Sequence, residues 1–487
     1  MVTTDDAAAR PLDRRFFGQP WGLATLFSIE TWERFSFYGM QAILAYYLYY
    51  TVAQGGLGLD RSSATSIVGA YGGLVYLSTI VGAWLADRVL GADRTLLTGA
   101  VVIMAGHISL ALLPGLWGVG IGLVLVAFGS GALKTSATTM VGGLYEPGDR
   151  RRDAGFSLYY MGVNLGGFLG PLATGAAQRG AGFHLGFGLA AIGMGVGLIG
   201  YVAMRGSLRG LGDGVPDPLP RSQRRRWIVT AVVAVVAVGA AAAGGWLRAD
   251  RLATVVAVVT ALAALGLFAV ILRSAHVDAT ERRRVVAFIP LFGASVVFWS
   301  LYQQQFTTVA VYADERLNRS IGGWEVPASW VQSINPVFII VFAGVFAALW
   351  TALGSAQPSA PAKFALGTGL MGVAFLCFLP MSGGGPGSAP LLGLVGILLL
   401  FTFAELLLSP VGLSLATRLA PRAFTSQMVA LFFLSVALGT ALSGVLARWY
   451  SADSEVPYFL TLGLASLAVA GLVAAATPWI RRGMGEA

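Results

Sequence analysis

Fourteen apolar runs, separated by turn and charge clusters, leave this chain of 487 residues few options other than a bundle of membrane-crossing helices. A helix rising 1.5 Å per residue needs about 20 residues to cross ~30 Å of hydrocarbon, and it satisfies its own backbone polar groups on the way. The runs begin near residues 22, 63, 95, 117, 153, 183, 227, 252, 284, 328, 363, 390, 424 and 457. Because 56% of residues are hydrophobic and only 11% charged, an all-α integral membrane protein is expected. With 1 Cys, Cys377, the chain offers neither an intrachain disulfide nor a Cys/His metal motif. The first 20 residues lack the apolar core and small-residue cleavage site of a signal peptide, so the first span is expected to be retained.

The net charge of +9 raises the question of nucleic acid, and its distribution answers it. Most of the 32 Lys and Arg fall before the first span, after the last, or in alternate loops; Arg61, Arg179, Arg248, Arg251, Arg316, Arg319 and Arg448 lie in the opposite set. By the positive-inside rule both termini are cytoplasmic, in a multi-pass protein of the cell inner membrane. The basic runs Arg221–Arg226 and Arg282–Arg284 read as orientation signals and lipid headgroup contacts. No nucleic-acid partner is expected.

Residues 227–247 and 252–272 are almost purely Ala, Val, Leu and Gly, and they offer a solute nothing to bind. Setting that pair aside leaves six spans on each side, the count of a carrier with two halves built from three-plus-three repeats. The expected organisation is an N-terminal tail (1–21), a six-helix bundle (22–204), linkers holding two inserted helices (205–283), a second six-helix bundle (284–480) and a C-terminal tail (481–487).

Polar groups inside the apolar spans fall at equivalent repeat positions. Glu30, Glu33 and Arg34 lie in the first span, Lys134 in the fourth, Gln303 to Gln305 in the seventh and Glu405 in the tenth of the two-half count. A charge near the bilayer centre costs about 2.5–3.5 kcal/mol, so such residues face a protein interior or a water-filled path, here one central cavity. Glu30 and Arg34 stand at i and i+4 in the favourable order for an ion pair, and Lys134 is placed to engage Glu33 or Glu30 across the cavity. A carboxyl balanced between desolvation and nearby cations can exchange a proton as the cavity changes sides. A purely structural buried pair is the competing reading. Glu405 needs a cationic partner, which a substrate amine would supply; otherwise it is protonated and inert.

Other signals carry less. Gly195-Val-Gly-Leu-Ile-Gly200 matches GxGxxG, yet it sits inside an apolar span, where helix packing is the better reading. Gly129-Ser-Gly-Ala-Leu-Lys134-Thr135 has Leu133 where a phosphate loop requires glycine. His107, His184 and His276 do not cluster, and no cofactor is expected.

Glu30-Thr-Trp-Glu-Arg-Phe-Ser-Phe-Tyr-Gly-Met40 resembles the ExxERFxYYG motif of the proton-dependent oligopeptide transporters within the major facilitator superfamily. GSGALKTSATTMVGGLY from Gly129 and DAGFSLYYMGVNLGGFLGPL from Asp153 resemble that family's signature, as do FWSLYQQQ from Phe298, QSINP from Gln332 and AELLLSPVGLSLATRLAP from Ala404. The likeness runs nearly end to end, and the extra helix pair resembles bacterial members. It implies a major facilitator fold of two six-helix bundles plus two extra helices. It also implies a symporter, not an enzyme, that imports di- and tripeptides on a proton gradient and works as a monomer.

By that resemblance Glu30, Glu33, Arg34 and Lys134 couple protons, Arg34 and Lys134 hold the peptide carboxylate, and Glu405 meets the amino terminus. Tyr38, Tyr71, Tyr76, Asn164 and Asn335 would help line the pocket. The chain departs from the family pattern at four positions. Gln41 and Gln303 stand where relatives pair an Arg with an acid in the outer gate, so an amide hydrogen bond is expected there. Phe37 replaces a motif tyrosine, and Phe432 stands where tryptophan is common, which bears on substrate preference. The alternatives are a same-fold carrier for a peptide-like drug, nitrate or an organic cation, working by import or export, and a transport-dead binding or sensor protein.

Overall fold

The computed structural model describes residues 13–146 and 148–485. The first half consists of α1 (Trp21–Tyr49), α2 (Arg61–Leu85), α3 (Ala92–Leu112), α4 (Gly115–Gly143), α5 (Arg152–Ala181) and α6 (Phe183–Met204). An inserted pair follows, α7 (Arg221–Ala243) and α8 (Leu252–Arg273). The second half consists of α9 (Ala279–Tyr302), α10 (Thr308–Glu315), α11 (Ile334–Leu353), α12 (Ala360–Leu376), α13 (Leu391–Arg418), α14 (Thr425–Ala447) and α15 (Glu455–Met484).

Among the described residues, twelve helical segments are long and apolar enough to cross a membrane on those grounds alone, with α9 and α10 counted as one. The other two spans in the sequence pattern are α1 and α5, whose 29 and 30 residues are ample in length but carry charged or polar side chains and many glycines. Their polarity is tolerated because they pack against each other inside the bundle. Most of α1 is buried, Glu30, Glu33 and Arg34 included.

Close approach of α1 and α5 depends on glycine. A Cβ on Gly166 would lie 2.2 Å from the Thr31 carbonyl oxygen, and one on Gly170 would lie 2.4 Å from that of Phe35. Gly166→Ala is therefore expected to lower stability by about 1–3 kcal/mol through overpacking. Gly180→Ala, in open space on the same helix, should be neutral. Thermal unfolding in detergent compares the two, and equal midpoints would contradict the packing assignment.

Three local features depart from the apolar pattern. A capping box starts α9 at Ala279 rather than near 284: the Asp278 carboxylate accepts from the Glu281 amide at 2.8 Å, while the Glu281 side chain accepts from the Asp278 amide. The seventh span of the two-half count is broken, since α9 gives way to a 3₁₀ turn over Gln303–Phe306 before α10 resumes. Backbone of this kind at membrane depth is tolerated where it borders a protein interior or a cavity. Finally, the all-α expectation is modified by two small strand pairs: Leu317–Asn318 with Ala389–Pro390, and Ser320–Ile321 with Trp324–Glu325.

Two hydrophobic cores form. One is built largely from α1–α6, and the other from α8 through α15. The inserted pair behaves unevenly: α7 buries no residue, whereas α8 packs Val256 toward Gly73 of α2 and Ala253 toward Gly444 of α14. α7 touches the bundle through Trp227, whose ring lies 4.8 Å from that of Trp84, and its Ala/Val surface is otherwise largely exposed, as on a lipid-facing helix.

On the face opposite the start of α1 and the end of α15, hydrogen bonds and ion pairs tie the halves together. Tyr49 and Tyr50, at the end of α1, donate to the two oxygens of Asp314 on α10 at 2.6 and 2.7 Å. The Tyr46 hydroxyl donates to the Ala310 carbonyl at 3.2 Å, and Arg61 pairs with Glu315. Further along, the Trp330 indole donates to the Leu172 carbonyl and the Ser333 hydroxyl to that of Phe168. Phe306 and Ala310 of the second half are thereby drawn into the core of the first. Asp314→Asn removes the charged acceptor of both phenols, so this seam should open more often. In a Cys377→Ser background, a cysteine at Ala310 should react with a maleimide several-fold faster when Asp314→Asn is added; an unchanged rate would contradict the latch.

Candidate functional site

The centre of the first half is a buried charge cluster on α1. The Arg34 Nε lies 3.1 Å from Glu30 Oε1 and 2.5 Å from Glu33 Oε2, so one guanidinium bridges two carboxylates. The i,i+4 pair expected from spacing is present, and Glu33 joins it. Each carboxylate has a second partner on a neighbouring helix. The Ser130 hydroxyl of α4 donates to Glu33 Oε1 at 2.7 Å, and the Tyr159 hydroxyl of α5 donates to Glu30 Oε2 at 2.6 Å. Arg34 Nη2 is buried without a hydrogen-bond partner, which leaves a donor free on a fixed cation. The guanidinium stands over the Phe37 ring at 5.0 Å and the Tyr38 ring at 5.9 Å.

Lys134 departs from expectation. It forms an ion pair with neither Glu30 nor Glu33 among the described residues; its ammonium stands 5.2 Å from the centre of the Tyr76 ring. The reason is occupancy: Arg34, Ser130 and Tyr159 already hold the two carboxylates. Lys134 is thus a second cation on the same wall rather than a partner within the cluster.

Tyr71 of α2 packs its ring 5.9 Å from that of Phe37, and its buried hydroxyl has no hydrogen-bond partner. Tyr38 lies between Phe37 and Phe306, with ring centres 5.2 and 6.2 Å away. Asn164 is buried and donates to the Tyr160 carbonyl of its own helix.

The second half contributes a different chemistry. Glu405 of α13 is 8% exposed and has no ion pair among the described residues. Its Oε2 lies 2.7 Å from the Tyr302 hydroxyl and 3.5 Å from Asn335 Nδ2. The Tyr302 ring is wedged among Phe298, Trp299 and Phe401, which fixes where the hydroxyl points. Asn335 belongs to this group rather than to the first-half wall.

Gln41 and Gln303 are both buried, but no hydrogen bond joins them, so the expected amide link at the gate is absent. Gln303 sits in the 3₁₀ turn that follows α9. Closure instead runs through Asp314 and Glu315, at the far end of α10. Gln304 is structural, bonded to Tyr458 and Thr307. Phe432 is buried in the second core with its ring against Gly412 of α13. Gly129–Lys134 lies within α4, and Gly195–Gly200 lies within α6, so neither is a nucleotide loop.

Ser130, Tyr159, Tyr302 and Thr402 escaped the sequence reading. Ser130 could have been found one turn before Lys134, and Tyr302 beside Gln303. Nothing local marks Tyr159, whose partner is 129 residues away.

Two helical bundles meeting around a charged, aromatic centre, with cations on one wall and a carboxyl on the other, define a membrane carrier of the major facilitator fold, not an enzyme. The chain belongs to the POT family, whose model matches residues 93–461. It is 43% identical over 96% of both chains to an uncharacterized transporter of Bacillus subtilis, YclF. A di-/tripeptide transporter of Lactococcus lactis subsp. cremoris is 40% identical over 94% of this chain and 95% of its own. Among solved structures, a glutamate-to-glutamine variant of the peptide transporter POT in complex with alafosfalin superposes with a TM-score of 0.91. It is 45% identical to this chain, over 97% of this chain and 98% of that one.

Proposed function

We propose that this protein is a proton-coupled symporter that imports di- and tripeptides across the inner membrane by alternating access, with both chain ends in the cytoplasm and the monomer as working unit. The observation that carries this reading is the set of unlike charges around Tyr38 and Tyr76: Arg34 and Lys134 on α1 and α4, and Glu405 on α13. A zwitterionic peptide meets that pattern at both ends, with its carboxylate toward the cations and its ammonium toward the carboxyl. The Lactococcus relative named for di- and tripeptides and the alafosfalin complex support the same cargo class. In this reading the latch from Tyr49 and Tyr50 to Asp314 closes the outer side.

Proton coupling falls to the Glu30–Glu33–Arg34 cluster. A proton on Glu33 removes part of the charge that holds Arg34, and the guanidinium then turns to the peptide carboxylate. Gln303 contributes no acid, so the first-half carboxylates carry the coupling. The deciding test is uptake of labelled dialanine by liposomes holding the purified protein, with and without an inward proton gradient and with unlabelled tripeptide as competitor. Gradient-stimulated, competed uptake is expected. Its absence from folded protein would redirect the search to other solutes or to binding without transport.

A further inference from the structure

With the Asn335 amide oriented as in the structure, the hydrogen bonds around Glu405 close with one proton more than an ionised carboxylate leaves. The Tyr302 hydroxyl is within bonding distance of two acceptors, Glu405 Oε2 at 2.7 Å and Asn335 Oδ1 at 3.1 Å, yet a phenol has a single proton to give. The Asn335 amide orientation follows from its other neighbour. Nδ2 lies 3.0 Å from Thr402 Oγ1, and Thr402 has already given its proton to the Leu398 carbonyl at 2.9 Å, so Thr402 accepts and Asn335 donates. Oδ1 therefore faces Tyr302 and takes the phenolic proton. The remaining contact, between the Tyr302 oxygen and Glu405 Oε2, closes only with a proton supplied by Glu405. Without it, two oxygens would stand 2.7 Å apart with no proton between them, and Glu405 Oε2 would keep only the 3.5 Å contact from Asn335 Nδ2.

We propose that Tyr302, Asn335 and Thr402 form a reversible hydrogen-bond circuit that holds Glu405 as a neutral acid when the site is empty and lets it exchange that proton for a peptide ammonium. The circuit has a second complete state. On ionisation Tyr302 donates to the carboxylate, Asn335 turns its amide to donate Nδ2 to the Tyr302 oxygen, and the Thr402 hydroxyl swings to Asn335 Oδ1. Every group stays bonded in both states, and they differ by one proton, which leaves Glu405 for solvent. The groups facing Glu405 from the first half are Tyr38, Tyr76 and Tyr160, all uncharged when protonated, and no cation pairs with it among the described residues. Tyr302 and Thr402 are thus positioning residues for Glu405. Since peptide and proton compete at this carboxyl, the site alone would drive exchange, and inward proton flux has to pass through the Glu30–Glu33–Arg34 cluster.

This inference rests on the peptide reading for its exchange step but not for the proton itself, and the test separates the two. Infrared difference spectra of the peptide-free protein at neutral pH, wild type minus Glu405→Gln, should show the C=O band of a protonated carboxylic acid; no such band would overturn the proposal. Thr402→Val keeps the side-chain shape but frees the amide to turn, so it should weaken the band, and Thr402→Ser should restore it. A band of full strength in Thr402→Val would count against the circuit. Calorimetry of dialanine binding in two buffers of different ionisation enthalpy, in a Glu33→Gln background that removes proton uptake at the coupling cluster, should give about one proton released per peptide, and clearly less when Thr402→Val is added. Equal release in both would also overturn it. If wild-type protein shows the band but binds no dialanine, the peptide reading fails and the neutral Glu405 stands.

Discussion

Glu33→Gln is expected to reduce gradient-driven peptide uptake to the level seen without a gradient, a loss of about tenfold or more, while counterflow exchange continues. Glu33 is fully buried and holds Arg34 at 2.5 Å while accepting from Ser130 at 2.7 Å. Glutamine keeps the volume and the Ser130 contact but imitates a permanently protonated acid. A site coupling that no longer responds to the proton loses typically 1–3 kcal/mol of linkage, or 5–150-fold. Exchange, which needs no net proton movement, should survive because Glu30 still pairs with Arg34 at 3.1 Å. Parallel uptake and counterflow assays in liposomes decide it. Normal gradient-driven uptake in the variant would remove Glu33 from the coupling device. Lys134→Gln serves as a companion: because Lys134 pairs with neither acid, its loss should act through the cationic wall, raising the concentration of peptide needed for half-maximal uptake.

Glu405→Gln is expected to weaken binding of free dialanine by about 10- to 150-fold, the 1.5–3 kcal/mol of a hydrogen bond to a charged group. Glutamine retains an oxygen for the Tyr302 hydroxyl, so the loss reports the missing charge opposite the peptide ammonium rather than a collapsed pocket. An N-acetylated dipeptide, which has no ammonium, should bind the wild type and the variant equally. Competition binding in detergent measures both. Unchanged affinity for free dialanine would show that the amino terminus is held elsewhere.

The polar residues of the apolar spans were legible because charge is expensive in hydrocarbon, so Glu30, Glu33, Arg34, Lys134 and Glu405 stood out individually. Their partners were not. Ser130, Tyr159, Tyr302 and Thr402 are unremarkable in a helix, and only the crossing of α1 with α4 and α5, or of α9 with α11 and α13, gives them a role. The same limit explains the two misplaced contacts. Spacing could suggest that Lys134 meets an acid, but it could not reveal that Arg34, Ser130 and Tyr159 already give each of the four carboxylate oxygens a partner. The family resemblance could suggest that Gln41 meets Gln303, but not that the span breaks at Gln303–Phe306 and that the halves are tied at Asp314 and Glu315 instead.

The amino-acid sequence by itself determined that this protein is a helical membrane carrier with two six-helix halves, an inserted pair and a handful of buried charges. Hydropathy and the cost of charge in lipid act residue by residue and need no knowledge of neighbours. Only the tertiary structure decided which buried group satisfies which and where the halves lock together. Hydrogen-bond pairing is a property of distances between helices far apart in the chain, and no local pattern encodes those distances.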